Sequence, residues 1–461
     1  MRKLTGFFFL FFSVITLAQE SLFTLLDNSK TGIDFSNDLV DTKQHSIFLY
    51  ANYYGGAGVG IGDFDNDGLD DIFFAANLID DKIYKNLGNF QFEDKTEKSG
   101  IINNGSWSTG VTVADVNNDG LLDIYISCEL YDDAPILRKN KLYINKGNFK
   151  FEESAEKWGV DVDRRTRHSV FFDYNNDGLL DLYLLNHPPN TGNFSPFFGT
   201  DMTLPEYNLQ LFENKGDHFI DVTVAAGLDR AGFPNAAVIG DFNKDGWADI
   251  YVANDFDAPD FLYFNNQDGS FSYKTESSLR HTSFYSMGVD AADINNDSHL
   301  DLMVLDMTAE DNFRLKSNMS GMNPDSFWNV VKGGGHYQYM FNTMQLNNGN
   351  NTFSDVAQLT GTAATDWSWS SLVADFDNDG NKDIYITNGL LRDIRNTDAD
   401  KKISDIVSKK INEYIINNPD DTDISLWDVV DLQELLDIMP SQKLKNYYYK
   451  NDGNLEFSNI T

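Results

Sequence analysis

Asp115-Val116-Asn117-Asn118-Asp119-Gly120-Leu121-Leu122-Asp123 recurs, with small changes, at five other places in this 461-residue chain. The other copies begin at Asp63, Asp173, Asp241, Asp293 and Asp375, so successive starts lie 52, 58, 68, 52 and 82 residues apart. Repetition at such a period marks a fold built from stacked supersecondary units. Each copy sits between two apolar alternating runs, such as Gly110–Ala114 before it and Ile124–Ile126 after it. Their length, alternation and β-branched or aromatic content predict strands. A third run follows, ending in Asn-x-Gly as in Ile83-Tyr-Lys-Asn86-Leu-Gly88 and Leu142-Tyr-Ile-Asn145-Lys-Gly147. A fourth carries Phe, as in Phe90-Gln-Phe92 and Phe149-Lys-Phe151. Four short antiparallel strands in roughly 50 residues make one propeller blade, so the expected fold is an all-β propeller.

Carboxylates at positions 1, 3, 5 and 9 of a tight loop converge on a hard cation, which takes six to eight oxygens. Glycine at position 6 permits the sharp turn, and the carbonyl of position 7 adds a ligand. The ligand sets are then Asp63, Asp65, Asp67, Leu69 and Asp71; Asp115, Asn117, Asp119, Leu121 and Asp123; and Asp173, Asn175, Asp177, Leu179 and Asp181. They continue with Asp241, Asn243, Asp245, Trp247 and Asp249; Asp293, Asn295, Asp297, His299 and Asp301; and Asp375, Asp377, Asp379, Asn381 and Asp383. An EF-hand needs a glutamate at position 12. That position holds Phe74, Ile126, Leu184, Val252, Val304 and Ile386, so the EF-hand is excluded. Zinc is disfavoured because no Cys or His pairs accompany the loops. The expected cofactor is Ca2+, up to six ions. The loop at Asp293 should bind most weakly, since Ser298 replaces glycine there.

Composition agrees. The chain has 71 acidic and 35 basic residues, a net charge of -36, which excludes a general nucleic-acid binder. Fourteen per cent aromatic content argues against an acidic disordered chain. Arg2 and Lys3 followed by the apolar stretch Leu4–Leu17 read as a signal peptide, residues 1–19, with cleavage after Ala18 or Gln19. The expected location is therefore secreted or cell-surface by bacterial export, with no transmembrane segment. The lone Cys128 allows no internal disulfide and reads as a buried thiol.

These loops resemble the calcium loops of the FG-GAP or VCBS repeat family, which includes the integrin α-subunit propeller and bacterial secreted proteins that can carry an ASPIC/UnbV domain. The match is residue for residue apart from Ser298 and covers about residues 20 to 461, the expected propeller domain. The resemblance implies seven blades, whereas six loops are visible. Either the chain is a fragment, or Phe23 to Phe35 completes the last blade. Stretches near 187–210 and 306–340 read as irregular insertions. Ile403–Ile416 and Leu426–Met439 read as two helices, within 391–445, capping one face.

The function expected is a non-enzymatic recognition or adhesion module for an extracellular protein or carbohydrate. Trp107, Trp367 and Trp369 are candidate contact residues, weighed against a simple packing role. The rival is a propeller-based polysaccharide lyase or hydrolase, which needs an acid–base pair. No Gly-x-Ser-x-Gly elbow or His-Glu-x-x-His is present, the carboxylates are too numerous to single out a pair, and His168, His187, His281 and His336 read as structural.

Overall fold

In the computed structural model the described residues are 22–131, 133–188, 205–256, 258–319, 322–419 and 424–461. The signal-peptide reading and most of the 187–210 insertion lie outside them. The alternating runs form six consecutive antiparallel sheets of four strands, each a meander; in the fifth, two short strands that join other sheets intervene between its second and third strands. The first holds Val59–Gly62, Asp71–Phe74, Lys82–Asn86 and Phe92–Asp94; the second Trp107–Ala114, Asp123–Glu129, Lys141–Asn145 and Phe151–Glu153. The third holds Arg165–Phe172, Asp181–His187, Gln210–Asn214 and Phe219–Asp221; the fourth Pro234–Gly240, Asp249–Asn254, Phe261–Asn265 and Phe271–Tyr273. The fifth holds Gly288–Ala292, Asp301–Leu305, Thr343–Asn347 and Phe353–Asp355; the sixth Asp366–Ala374, Asp383–Asn388, Tyr447–Asn451 and Phe457–Asn459. Met307–Thr308 adds a fifth strand at the edge of the last sheet. A seventh four-stranded sheet is not among the described residues.

The first strand of each sheet packs against the first strand of the next. The approach is close enough that a Cβ on Gly288 would meet the Trp369 carbonyl oxygen at 2.3 Å. Five apolar cores lie between consecutive sheets, one per junction. The first contains Phe64, Phe73, Ile124 and Tyr143; the fourth contains Phe242, Tyr251, Leu262 and Val304. Each fully buried large apolar side chain contributes about 1.5–3 kcal/mol. Inter-sheet burial is therefore the main force holding the array.

The segment Phe23–Phe35 is not a strand of the last sheet. Phe23 instead packs among Phe376, Tyr385 and Tyr448, with ring centroids 5.3–5.8 Å away, while Phe35 stacks on Phe74 of the first sheet at 4.7 Å. The stretch 306–340 is more ordered than its composition suggests. It holds helices Asn312–Ser317 and Pro324–Lys332, the latter started by the Asn323 side chain and by proline in its first turn. The C-terminal insertion has one long helix, Thr397–Asn417. The second expected helix is broken into Leu426–Val429 and Leu432–Leu436, because Asp431 takes an extended conformation and caps a new helix start. These helices pack with Ile47, Tyr50, Tyr53 and Trp107 into a separate cluster. Trp107 begins a strand whose other end, Ala114, leads into an Asp-rich loop, so this cap lies at the end of the sheets away from the loops.

Candidate metal centre

The strand register sets up all six loops in one way. The position 9 aspartate pairs with the residue just before position 1: Gly62 with Asp71, Ala114 with Asp123, Phe172 with Asp181, Gly240 with Asp249, Ala292 with Asp301 and Ala374 with Asp383. Both ends of the loop are thus fixed by sheet hydrogen bonds. Within it, the position 1 carboxylate accepts the N–H of position 5 at 2.9–3.1 Å. Its other oxygen accepts the N–H of position 6 at 2.7–2.9 Å. The glycine at position 6 has φ of 84–92° in Gly120, Gly178, Gly246 and Gly380, and 87° in Gly68. Ser298 is forced to 68°, a conformation that costs a side-chain-bearing residue about 1 kcal/mol. The fifth loop nonetheless keeps the same internal bonds.

A second left-handed residue escaped the sequence reading. Position 4 has φ of 55–61° in all six loops: Asn66, Asn118, Asn176, Lys244, Asn296 and Asn378. Five of the six are asparagine, the side-chain-bearing residue that tolerates this region best; that was the available signal. The Asn66 amide also donates to the Gly120 carbonyl at 2.9 Å, and Asn118 to Gly178 at 3.3 Å, tying neighbouring loops together.

Position 9 is the buried pivot. One of its oxygens accepts the N–H of position 2 at 2.9–3.1 Å. The other accepts the N–H of the Asn that begins the Asn-x-Gly or, in the fourth sheet, Asn-x-x-x-Gly turn, at 2.7–2.9 Å. Burial pushes five of these carboxyls up, to about 6 in Asp71 and Asp301 and about 7 in Asp123, Asp181 and Asp249, against the opposing effect of the two N–H donors. The turn asparagine reaches further. The amides of Asn145, Asn214, Asn265, Asn347 and Asn451 each donate to the position 2 carbonyl of the preceding sheet's loop, at 2.8–3.1 Å. Every sheet after the first is thereby bonded to its predecessor beside the loop.

Carboxylate oxygens converge to metal-binding distance in two loops, in the sets Asp63, Asp65, Asp71 and Asp375, Asp377, Asp383, all within 4.8 Å of one another. The other four loops have Asn at position 3 and so offer one carboxylate fewer. Asp67 and Asp379 stand outside these sets; their carboxylates accept the N–H of Leu69 and Asn381 at 3.0 and 2.9 Å. The all-oxygen donor set suits calcium, and Asp65 Oδ1 is a buried oxygen with no hydrogen-bond partner. The residues present therefore fit a hard divalent cation.

At the opposite end of the sheets lie two cavities. One, of about 240 Å³, is lined by residues at or just before the first strand of every sheet, including Val59, Val111, Arg167, Asn235, Met287 and Trp369. The other, of about 270 Å³, lies beside it under the cap and is lined by Asn52, Asp255, Tyr285, Trp367, Trp369 and Arg395, among others. Trp107 is fully buried against Tyr50 and Tyr53, a packing role, whereas Trp367 and Trp369 line this second cavity. His168 lines the first and is held down to about 4 by burial; the His187 Nε2–H donates to the Pro234 carbonyl, 3.1 Å away; His281 pairs with Asp355 at 3.1 Å. Cys128 is a buried free thiol, pushed up to about 12 by desolvation.

Successive four-stranded antiparallel sheets, each with an aspartate-rich loop joining its first two strands, define a propeller-like all-β repeat protein. The FG-GAP-like repeat model matches residues 63–126, 241–304 and 323–386, so the chain carries FG-GAP-like repeats in three stretches. A comparison with curated proteins gives no match. Among solved structures it is similar to an Agrocybe aegerita lectin described as recognising non-reducing terminal N-acetylglucosamine, at 19% identity and TM-score 0.41 over 71% of this chain and 73% of that one. It is similar also to the V. cholerae biofilm matrix protein Bap1, at 16% identity and TM-score 0.32 over 62% of this chain and 37% of that one. A third is BBS1N in complex with ARL6DN, at 8% identity and TM-score 0.37 over 72% and 75%. Among the described residues no helix is long and apolar enough to cross a membrane.

Proposed function

We propose that this chain is a secreted or cell-surface, calcium-braced β-propeller that acts as a recognition module for an extracellular protein or carbohydrate. The observation that carries the calcium part is the identical wiring of six loops around buried position 9 carboxylates, with converging oxygens in the loops at Asp63 and Asp375. A divalent ion there offsets the cost of holding ionised, desolvated carboxylates side by side. The ring closes between the sixth and first sheets. Support for closure comes from the cavity that all six leading strands line, and from Phe23 and Phe35 spanning that junction.

The ions rigidify one end of the array and leave the other free to vary, and the insertions build the cap and the ligand cavity there. Its walls combine the aromatic faces of Trp369 and Tyr285 with the polar groups of Asn52, Asp255 and Arg395. Such a mixture of flat apolar rings and hydrogen-bonding groups fits a compact polar ligand.

The test is a thermal melt of the full chain in calcium and in chelator. Calcium at a hundredfold excess over Kd should add on the order of 2.7 kcal/mol per occupied site; an unchanged midpoint would refute the metal reading. A glycan array screened with wild type and Trp369→Ala addresses the cavity. Hits that vanish in the variant support it, and hits that persist unchanged count against it.

A further inference from the structure

The two loops with aspartate at position 3 differ from the other four in a second respect, on another strand. The residue before the turn asparagine is Lys85 in the first sheet and Lys450 in the sixth; in the sheets between it is Ile144, Glu213, Phe264 and Leu346. Lysine occurs only where the loop carries a fourth carboxylate. The Lys85 ammonium sits on Asp65 and on Asp67, at 2.8 Å from the latter. Lys450 sits on Asp377 and on Asp379, at 3.2 Å from the latter. In loops three to five the position 3 asparagine amide occupies this role, donating to the position 5 carboxylate at 3.0–3.1 Å. Counting only positions 1, 3, 5 and 9, the lysine takes the charge of each of these two ligand sets from -4 to -3, which equals that of the asparagine loops. Glu213, the one acid at the lysine position, is itself covered by Lys215.

We propose that Lys85 and Lys450 are built-in counter-cations. They hold the loops at Asp63 and Asp375 closed without metal and moderate the calcium affinity of those two sites. The inference rests on the calcium reading above for its second half only. Asp65 gives one oxygen to the lysine and keeps Oδ1 buried without a partner, so lysine and ion share the carboxylate rather than exclude one another. A positive charge and a divalent ion that share one carboxylate, in surroundings close to water, weaken one another's binding on the order of tenfold.

The experiment is calcium titration calorimetry on the metal-free full chain, with Lys85→Met plus Lys450→Met against Lys85→Arg plus Lys450→Arg. Melts in chelator accompany it. Two sites should tighten on the order of tenfold in the methionine pair and stay as in wild type in the arginine pair. The chelator melt should drop for methionine and hold for arginine. Unchanged or weaker calcium binding in the methionine pair would overturn the proposal. If wild type takes up no calcium, the metal reading fails by itself. The chelator melt then decides the lysines' role, and equal midpoints for the two pairs would overturn it.

Discussion

Asp249→Ala separates the structural duty of position 9 from its duty toward an ion. Asp249 is fully buried and accepts the Phe242 N–H at 3.0 Å and the Asn265 N–H at 2.8 Å. In alanine both donors lose their acceptor in a site closed to water. Each such orphan costs about 1–3 kcal/mol, so the substitution should cost roughly 2–6 kcal/mol. Asn265 also anchors the preceding sheet through the Tyr174 carbonyl, so the loss spreads across a junction. At pH 6 in chelator neither metal nor ionisation enters much, since burial pushes this carboxyl up to about 7. Asp249→Asn keeps one acceptor oxygen and should fall between wild type and alanine. Asp245→Ala is the control. Its carboxylate is exposed and accepts the Trp247 N–H and the Asn243 amide, so about 1 kcal/mol or less is expected. The assay is urea unfolding followed by near-UV circular dichroism. If Asp249→Ala cost no more than Asp245→Ala under these conditions, position 9 would not be the pivot of the loops.

Ser298→Gly should stabilise the fifth loop by about 1 kcal/mol, because φ of 68° strains serine and not glycine; differential calorimetry reads the shift. Arg314→Met should destabilise by roughly 3–5 kcal/mol, since its guanidinium bonds Asp366 at 2.6 Å and Asp393 at 3.0 Å in a buried cluster joining the 306–340 and 391–445 insertions to the sixth sheet, and methionine leaves both acids uncompensated. Asp255 is buried and raised to about 7 by desolvation. A folded value above the unfolded one near 3.9 favours the native state most below pH 4, and that advantage is lost as pH climbs through 7. Asp255→Asn should therefore gain roughly 2–4 kcal/mol on wild type at pH 8 and match it near pH 4, as seen in melts across that range.

The repeat unit was legible because its signals are local. Alternation sets the strands, Asn-x-Gly sets the turn, and Asp-x-Asp/Asn-x-Asp-Gly sets the loop between them. Phe90 shows the usual error at a boundary: it sits in the turn with φ of 58°, and its strand begins only at Phe92. The insertions were less legible because long-range packing decides them. Asn323-Pro324 carried a helix start that proline and glycine nearby disguised, and Asp431 looks like an ordinary helix residue until its carboxylate is seen capping Glu434 at 3.0 Å. The pairing of Lys85 with Asp65 could be found in sequence only by aligning the repeats to one another, column by column.

The hardest feature to read was the junction between the last sheet and the first. Five junctions have an apolar core and an asparagine that crosses to the preceding loop. At the sixth, Asn86 bonds only within its own sheet, to the Asp70 carbonyl at 2.8 Å. A strand shared between the ends of the chain would have left a period-2 signal, and none is visible in Phe23–Phe35. The chain instead supplies two phenylalanines on irregular backbone, one for each side of the seam, with Tyr84 and Asn77 holding the strap through Asp34 and Asn37 at 2.7 and 2.8 Å. Side-chain packing without a continuous strand ladder is the weaker of the two fasteners, because it lacks the cooperativity of shared backbone hydrogen bonds. If the six sheets close into the proposed ring, its opening should therefore begin at this seam, which the two four-aspartate loops at Asp63 and Asp375 flank from either side.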